Sequence, residues 1–107
     1  MKRNKYQLVF HIKAISDYDD AYYWYELQEQ GLGERFIKMV SDKLQHIINN
    51  PETYSTGTKK QYREAKITDF PYAIVYKINI MESIIFVSSI HHEKKHPNEN
   101  SENKGIV

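Results

Sequence analysis

The 107-residue chain has no cysteine and no long apolar run. Without cysteine, neither a disulfide framework nor a thiolate metal site can form, and a reducing compartment is the natural setting. The longest apolar run near the N-terminus, Leu8-Val9-Phe10, is too short for the core of a signal peptide, and nothing approaches the ~20 apolar residues of a membrane span. These absences lead us to expect a cytoplasmic protein with no membrane partner.

Positive charge is missing from one part of the chain. Residues 14–34 hold six acids and neither Lys nor Arg, whereas residues 1–13 hold four cations and no acid, and residues 59–66 hold four cations with a single acid. The pattern predicts an acidic helix on an otherwise basic molecule, although solvated faces of opposite sign would explain it equally well. A net charge of +1 falls short of a dedicated nucleic-acid binder.

Length and composition predict one folded domain. A chain of this size can bury most of the surface that it exposes when unfolded, and nine tyrosines in a composition of 13% aromatic residues are too many for a disordered chain. We place the domain at residues 1–97. The polar tail at residues 98–107 has little to bury, and we expect it to be disordered.

The first half of the chain predicts a strand and two helices. Residues 6–12 alternate between apolar and polar, which is typical of a half-buried strand. Ser16, with Asp19 three residues later, resembles a capping box, so we expect a helix from Ser16 to about Gln30. After Gly31-Leu32-Gly33, apolar residues at three- and four-residue steps predict a second helix that ends near Pro51. Helices joined by so short a link pack as an antiparallel hairpin.

The second half predicts three strands after a polar loop at residues 52–61. They cover residues 62–67, 72–80 and 84–90, and the last is a continuous apolar run, as expected of a central strand covered on both faces. Short connections favour an antiparallel meander. We therefore expect an α+β fold of order β-α-α-β-β-β, with both helices packed on one sheet.

One motif near the C-terminus suggests metal chemistry. His92-Glu93-Lys94-Lys95-His96 matches the H-E-x-x-H pattern of zinc peptidases, in which a helix places both histidines on one face. Here the motif follows a strand, and Pro97 comes directly after the second histidine. We therefore predict neither a metal nor another cofactor, and metal analysis of the purified protein tests this.

A second constellation suggests cleavage of RNA. That reaction needs a base for the 2′-hydroxyl, an acid for the leaving oxygen and a fixed cation for the developing phosphorane charge. His91 or His92 suits the proton transfers, and Arg63 suits the cation, with Lys94 or Lys95 nearby. Arg63 could equally be a salt-bridge partner, and its parity with Ala65 directs it towards the helices if Ala65 faces them.

The order of these motifs resembles the RelE/ParE superfamily of toxins from bacterial type II toxin–antitoxin systems. The resemblance covers roughly residues 6–97 and depends on the following residues: Gly31-Leu32-Gly33, Phe36, Asn50-Pro51, Arg63, Phe70-Pro71-Tyr72, Val75-Tyr76, His91, Lys94 and Pro97. It implies a small toxin of a plasmid-stabilisation type of system that arrests growth and is neutralised by an antitoxin encoded beside it. Target and mechanism differ between two branches of the superfamily.

One branch cleaves messenger RNA on the ribosome, and the other poisons DNA gyrase without a nuclease site. On the nuclease alternative, the catalytic candidates are Arg63, His91, His92 and Lys94. The resemblance matches Arg63 and His91 to family positions, and Lys94 lies where arginine is more usual. The modest charge and the absence of a clear aromatic next to His91 favour the gyrase branch. A non-toxic module that only binds an antitoxin is a third possibility.

The first helix holds more aromatic residues than one helical face can bury. We expect some to remain exposed as an anchor for the antitoxin, and the candidates are Tyr22, Trp24 and Tyr25. A wide core face with a few harmless exposed tyrosines would explain the same composition.

Overall fold

The computed structural model describes residues 5–94. Its elements are β1 (Gln7–Phe10), α1 (Ile12–Gln28), α2 (Leu32–Asn49), β2 (Arg63–Lys66), β3 (Tyr72–Asn79) and β4 (Ile84–His92). This confirms the predicted order β-α-α-β-β-β. The predicted tail at 98–107, Lys95, and the second histidine of the zinc-peptidase pattern, His96, lie outside the described residues.

The four strands form one sheet in the order β1-β4-β3-β2. β2 pairs antiparallel with β3, and β3 pairs antiparallel with β4, which confirms the predicted meander. β1 pairs parallel with β4, in a register that joins Gln7 to Ile84 and Phe10 to Val87. The sheet is therefore mixed. After the helical hairpin, β2, β3 and β4 alternate in direction, and β4 runs in the same direction as β1.

The core lies between the helical hairpin and one face of the sheet. On β3 and β4 the side chains of Ile74, Tyr76, Ile85 and Val87 are fully buried on that face. At one end, the ring of Phe36 on α2 contacts aromatic rings from α1, β3 and the loop before β3, with centroid distances of 5.5 Å to Tyr25, 5.3 Å to Phe70 and 5.2 Å to Tyr72. This aromatic cluster explains why Phe70-Pro71-Tyr72 connects two strands at the core and not at the surface.

The predicted start of the first helix is wrong. α1 begins at Ile12, because His11 adopts an extended conformation and its Nδ1 accepts a hydrogen bond from the Lys13 backbone at 2.9 Å. Ser16 therefore lies within the helix and caps nothing. Asp17, the next residue, accepts a hydrogen bond from the backbone N–H of Ile90 at 3.0 Å and ties α1 to β4.

The expectation that β4 is covered on both faces is also wrong. Ile85, Val87 and Ile90 are buried against the helices, whereas Ile84 and Phe86 are partly exposed on the opposite face. Ile85 and Val87 are two residues apart, as alternation requires, but Val87 and Ile90 are three apart. The extra residue is Ser88, because the register places Val75 opposite Ser89 and Tyr76 opposite Val87. This bulge lets both halves of β4 turn apolar side chains to the core.

The link between the helices depends on two glycines and one carboxylate. Gly31 has a φ of 90°, which only glycine adopts without strain, and a Cβ at Gly33 would lie 2.7 Å from the backbone oxygen of Tyr22. The carboxylate of Glu26 accepts hydrogen bonds from the backbone N–H groups of Gly31 and Gly33, both at 2.9 Å. Glu26 thus satisfies amide donors at the start of α2 and holds the hairpin closed.

Candidate functional site

Arg63 begins β2 and points to the helix side of the sheet, as its parity with the fully buried Ala65 predicts. Its Nη1 donates to the backbone oxygen of Tyr54 at 2.5 Å and to that of Glu52 at 3.4 Å. The guanidinium therefore ties the loop that follows α2 to the first residue of β2.

Two tyrosines extend this contact network. The hydroxyl of Tyr76, directly opposite Arg63 in the sheet, donates to the backbone oxygen of Pro51 at 2.6 Å. The pKa of Tyr76 is raised to about 12: burial is the main cause, the Arg63 charge opposes the shift, and the nearby Tyr54 adds to it. The hydroxyl of Tyr54 hydrogen-bonds Nδ1 of His46 at 2.7 Å. The surroundings of Arg63 hold the α2–β2 loop in place.

His91 and His92 lie at the far end of β4. His91 is opposite Ala73 and His92 is opposite Tyr72, so the two side chains point to opposite faces of the sheet. The ring of His92 packs edge-on against Tyr72 with centroids 5.0 Å apart, and its Nδ1 accepts from the backbone N–H of Lys94 at 3.0 Å. The backbone of Lys94 thus turns back towards the His92 ring directly after β4.

The structure separates Arg63 from His91. Arg63 pairs with Tyr76 and His91 with Ala73, so they differ by three positions along β3, about 10 Å, and by two strand spacings, about another 10 Å. They also face opposite sides of the sheet. The structure therefore places the His92 ring next to the backbone of Lys94, but it does not bring Arg63 to either histidine.

A groove of about 640 Å³ lies between α1 and the ends of β3 and β4. Its helix wall carries Asp17, Asp20 and Trp24. The residues that line the sheet side include Tyr72, His91 and His92. The pKa of Tyr72 is raised to about 12, mainly by burial, with smaller contributions from Tyr25, Asp17 and Asp20. Sequence reasoning did not find this groove, because it exists only where α1 crosses the end of the sheet.

The three predicted antitoxin-binding residues occupy different environments. Tyr25 is 9% exposed, and its ring stacks on Phe36 within the core while also lining the groove. Tyr22 is half-buried against the second helix, and Trp24 is exposed. Leu27, which is not among the predicted candidates, is 84% exposed on the same helix.

Two absences bear on the sequence predictions. Within residues 5–94, no group of three or more acidic or histidine side chains lies close enough to hold a metal ion. In the same part of the chain, neither helix has the length and apolar character required to cross a bilayer.

Solved structures of bacterial toxin–antitoxin proteins share this fold. The chain superposes on a protein of the chromosomal ParDE toxin–antitoxin system of P. aeruginosa with a TM-score of 0.72 and 13% identity, covering 84% of this chain and 98% of that one. It is also similar to a mutant of the E. coli toxin RelE in complex with a RelBc antitoxin peptide, with a TM-score of 0.65, 20% identity and coverage of 96% and 99%. The isolated E. coli RelE toxin gives a TM-score of 0.64 at 18% identity, with coverage of 95% and 99%.

The family comparison agrees with the fold. No curated protein sequence matches the chain. The model of the family described as ParE toxin of the type II toxin–antitoxin system parDE matches residues 8–97, from within β1 to beyond β4. The match includes both helices, the Arg63 network and the groove at the end of the sheet. On this evidence the chain belongs to the ParE toxin family of type II toxin–antitoxin systems.

Proposed function

We propose that this toxin arrests growth by blocking DNA gyrase in the cytoplasm and that a cognate antitoxin neutralises it. The observation that carries the choice of target is the position of Arg63. Its guanidinium donates to the backbone oxygens of Tyr54 and Glu52, on the opposite side of the sheet from His91. An endoribonuclease needs a cation, a base and an acid around one phosphate. The separation of Arg63 from His91 supports a toxin that acts by binding.

The test is to induce the protein briefly in a bacterial host and to follow messenger RNA integrity and plasmid supercoiling in the same cells. We expect intact transcripts, reduced supercoiling and induction of the DNA-damage response. His91→Ala should leave the arrest unchanged. Cuts at translated codons that disappear in His91→Ala would contradict the gyrase proposal, and normal growth at abundant soluble protein would contradict toxicity itself.

The second candidate function is a ribosome-dependent endoribonuclease, and one feature of the outer sheet face favours it. The ammonium group of Lys77 lies 5.4 Å from the ring centre of Tyr62 and 5.9 Å from that of Phe86, on the face opposite the helices. Rings next to a cation are a surface on which RNA bases stack. On this alternative, Phe86→Ala should reduce cleavage of transcripts, whereas a gyrase poison should not cut them in any variant.

The antitoxin partner is supported by the family and by exposed aromatic residues on α1. Trp24 lies at the surface of the helix, and Tyr22 is half-buried beside it. We propose that the antitoxin covers this helix. A non-toxic binding module would form the same complex without arresting growth, so co-purification with the antitoxin and the growth assay together separate the two alternatives.

A further inference from the structure

An apolar patch on α1 has no partner within the described part of the chain. It consists of Tyr23, Trp24 and Leu27, which are 65%, 56% and 84% exposed. Leu27 follows Tyr23 by four residues and Trp24 by three, so the side chains are neighbours on the helix surface. The opposite face of α1 holds the buried Ala21 and Tyr25. Three large exposed apolar side chains together are typical of a surface that another molecule covers.

The charges next to this patch are acidic. From Ala14 to Gln28, α1 contains no Lys or Arg. The carboxylate of Asp17 pairs with Lys13 at 3.1 Å and accepts a hydrogen bond from the backbone of Ile90. The carboxylate of Glu26 accepts a hydrogen bond from the backbone at the start of the second helix. The side chain of Asp20 makes neither a hydrogen bond nor an ion pair among residues 5–94. Its carboxylate is therefore available to a ligand.

Asp20 and Trp24 form one wall of the groove beside the sheet. They are four residues apart, so the carboxylate lies next to the indole on the helix surface. The rings of Trp24 and Tyr25 meet at 87° with centroids 5.1 Å apart, and this contact orients the indole although more than half of it is exposed. An oriented indole beside an unpaired carboxylate matches a lysine or arginine side chain, which stacks on the ring and pairs with the acid.

We propose that the Asp20–Trp24 wall receives a lysine or arginine side chain of the antitoxin, and that apolar residues of the same antitoxin segment cover Tyr23 and Leu27. The inference rests on the proposed function, because it takes the antitoxin as the partner. It adds that the antitoxin segment which binds this surface is basic and amphipathic. Lys13, at the edge of the groove, does not oppose the binding of a cationic side chain, because its charge is already paired with Asp17.

A second copy of the toxin is a poorer match for the same surface. A symmetric contact would place the patch of one copy against that of the other. The acids of one α1 would then face those of the second, and residues 14–34 contain no cation to neutralise them. Charge complementarity therefore favours a partner of opposite sign.

The experiment titrates the full-length toxin, isolated from its complex, with the antitoxin encoded beside it. Calorimetry at low and high salt gives the affinity of the wild type, Asp20→Asn and Trp24→Ala. Asp42→Asn is the matched control, because Asp42 is an exposed acid of α2 that pairs with Lys38. We expect both groove variants to bind about tenfold more weakly. Asp20→Asn should also lower the salt dependence, whereas Asp42→Asn should bind as the wild type does.

A second measurement uses Trp24 as a reporter, because it is the only tryptophan in the chain. In toxin labelled with fluorotryptophan, the single fluorine resonance should shift when unlabelled antitoxin is added. Both altered side chains are exposed, so circular dichroism and thermal unfolding of the variants should match the wild type.

Three results would overturn the inference, and they are distinguishable. Unchanged affinity in both groove variants with an unmoved resonance removes the cationic contact but leaves the toxin–antitoxin assignment intact. A resonance that shifts with toxin concentration alone identifies a second copy as the occupant. Failure of the wild-type toxin to bind the antitoxin contradicts the proposed function, and the inference with it.

Discussion

Arg63 shows how one residue can resemble a catalytic group and serve the fold. Its parity on β2 correctly predicts the face to which it points, because the strand alternates regularly. Its partners could not be predicted, since the carbonyls of Glu52 and Tyr54 come from an irregular loop whose path no periodicity describes. The contact also bears on functional assays, because a variant of Arg63 can lose toxicity by losing stability.

We expect Arg63→Ala to lower the free energy of unfolding by about 2 kcal/mol, because it removes charged hydrogen bonds to the α2–β2 loop. Urea unfolding measures the change. Lys66→Ala is the control: its side chain is 81% exposed in a 3.5 Å pair with Glu93, and such surface pairs contribute little. Equal unfolding midpoints for wild type and Arg63→Ala would contradict the structural role and return Arg63 to the list of catalytic candidates.

Tyr76→Phe tests the neighbouring contact. The change removes only the hydroxyl that donates to the Pro51 carbonyl at 2.6 Å, and the ring remains in the core. Leaving that carbonyl unpaired should cost about 1–2 kcal/mol of stability. Tyr23→Phe removes the hydroxyl of an exposed tyrosine and should have almost no effect, so similar losses in the two variants would argue against the hydrogen bond as the cause.

At the scale of elements, some boundaries follow from local patterns and others do not. The second helix has regular apolar spacing and begins next to Gly31, so its place was predictable. The start of α1 was not, because a histidine cap is unusual and Ser16 gave a competing signal. The groove could not be predicted either. It depends on how α1 crosses β4, and contacts between distant segments leave no local pattern in the sequence.

The helical hairpin makes the sharpest prediction about an element. A Cβ at Gly33 would lie 2.7 Å from a backbone oxygen of α1, so Gly33→Ala must separate the helices or shift them. We expect a loss of about 2 kcal/mol, measured by thermal unfolding. Gly57→Ala is the matched control, since its added Cβ meets only the flexible Glu64 side chain, at 3.1 Å. A Gly33→Ala protein as stable as the control would show that the hairpin packs less closely.

For the molecule as a whole, the buried Tyr76 and the half-buried Tyr72 predict the response to alkali. The pKa values of Tyr72 and Tyr76 are raised from 10.0 to about 12, mainly by burial. Because the unfolded chain releases these protons more readily, their contribution to stability is complete below pH 10 and is lost as the pH rises from about 10 to about 12. Tyrosinate absorbance and circular dichroism should therefore change together in this range.

Tyr76→Phe removes one of these two tyrosines, so the stability of the variant should fall less steeply with pH than that of the wild type. Tyrosinate absorbance that rises fully while the circular dichroism stays native would contradict this coupling, because it would show that both phenols ionise within the folded protein.

The parallel pairing of β1 with β4 has a consequence for how the toxin is made. Gln7 and Ile84 are neighbours in the sheet although most of the chain separates them, and β4 also carries the backbone group that binds Asp17 of α1. Such distant pairings form late and slowly. A nascent chain that has not yet produced β4 has no central strand on which to assemble, so translation itself sets the moment at which a competent toxin first exists.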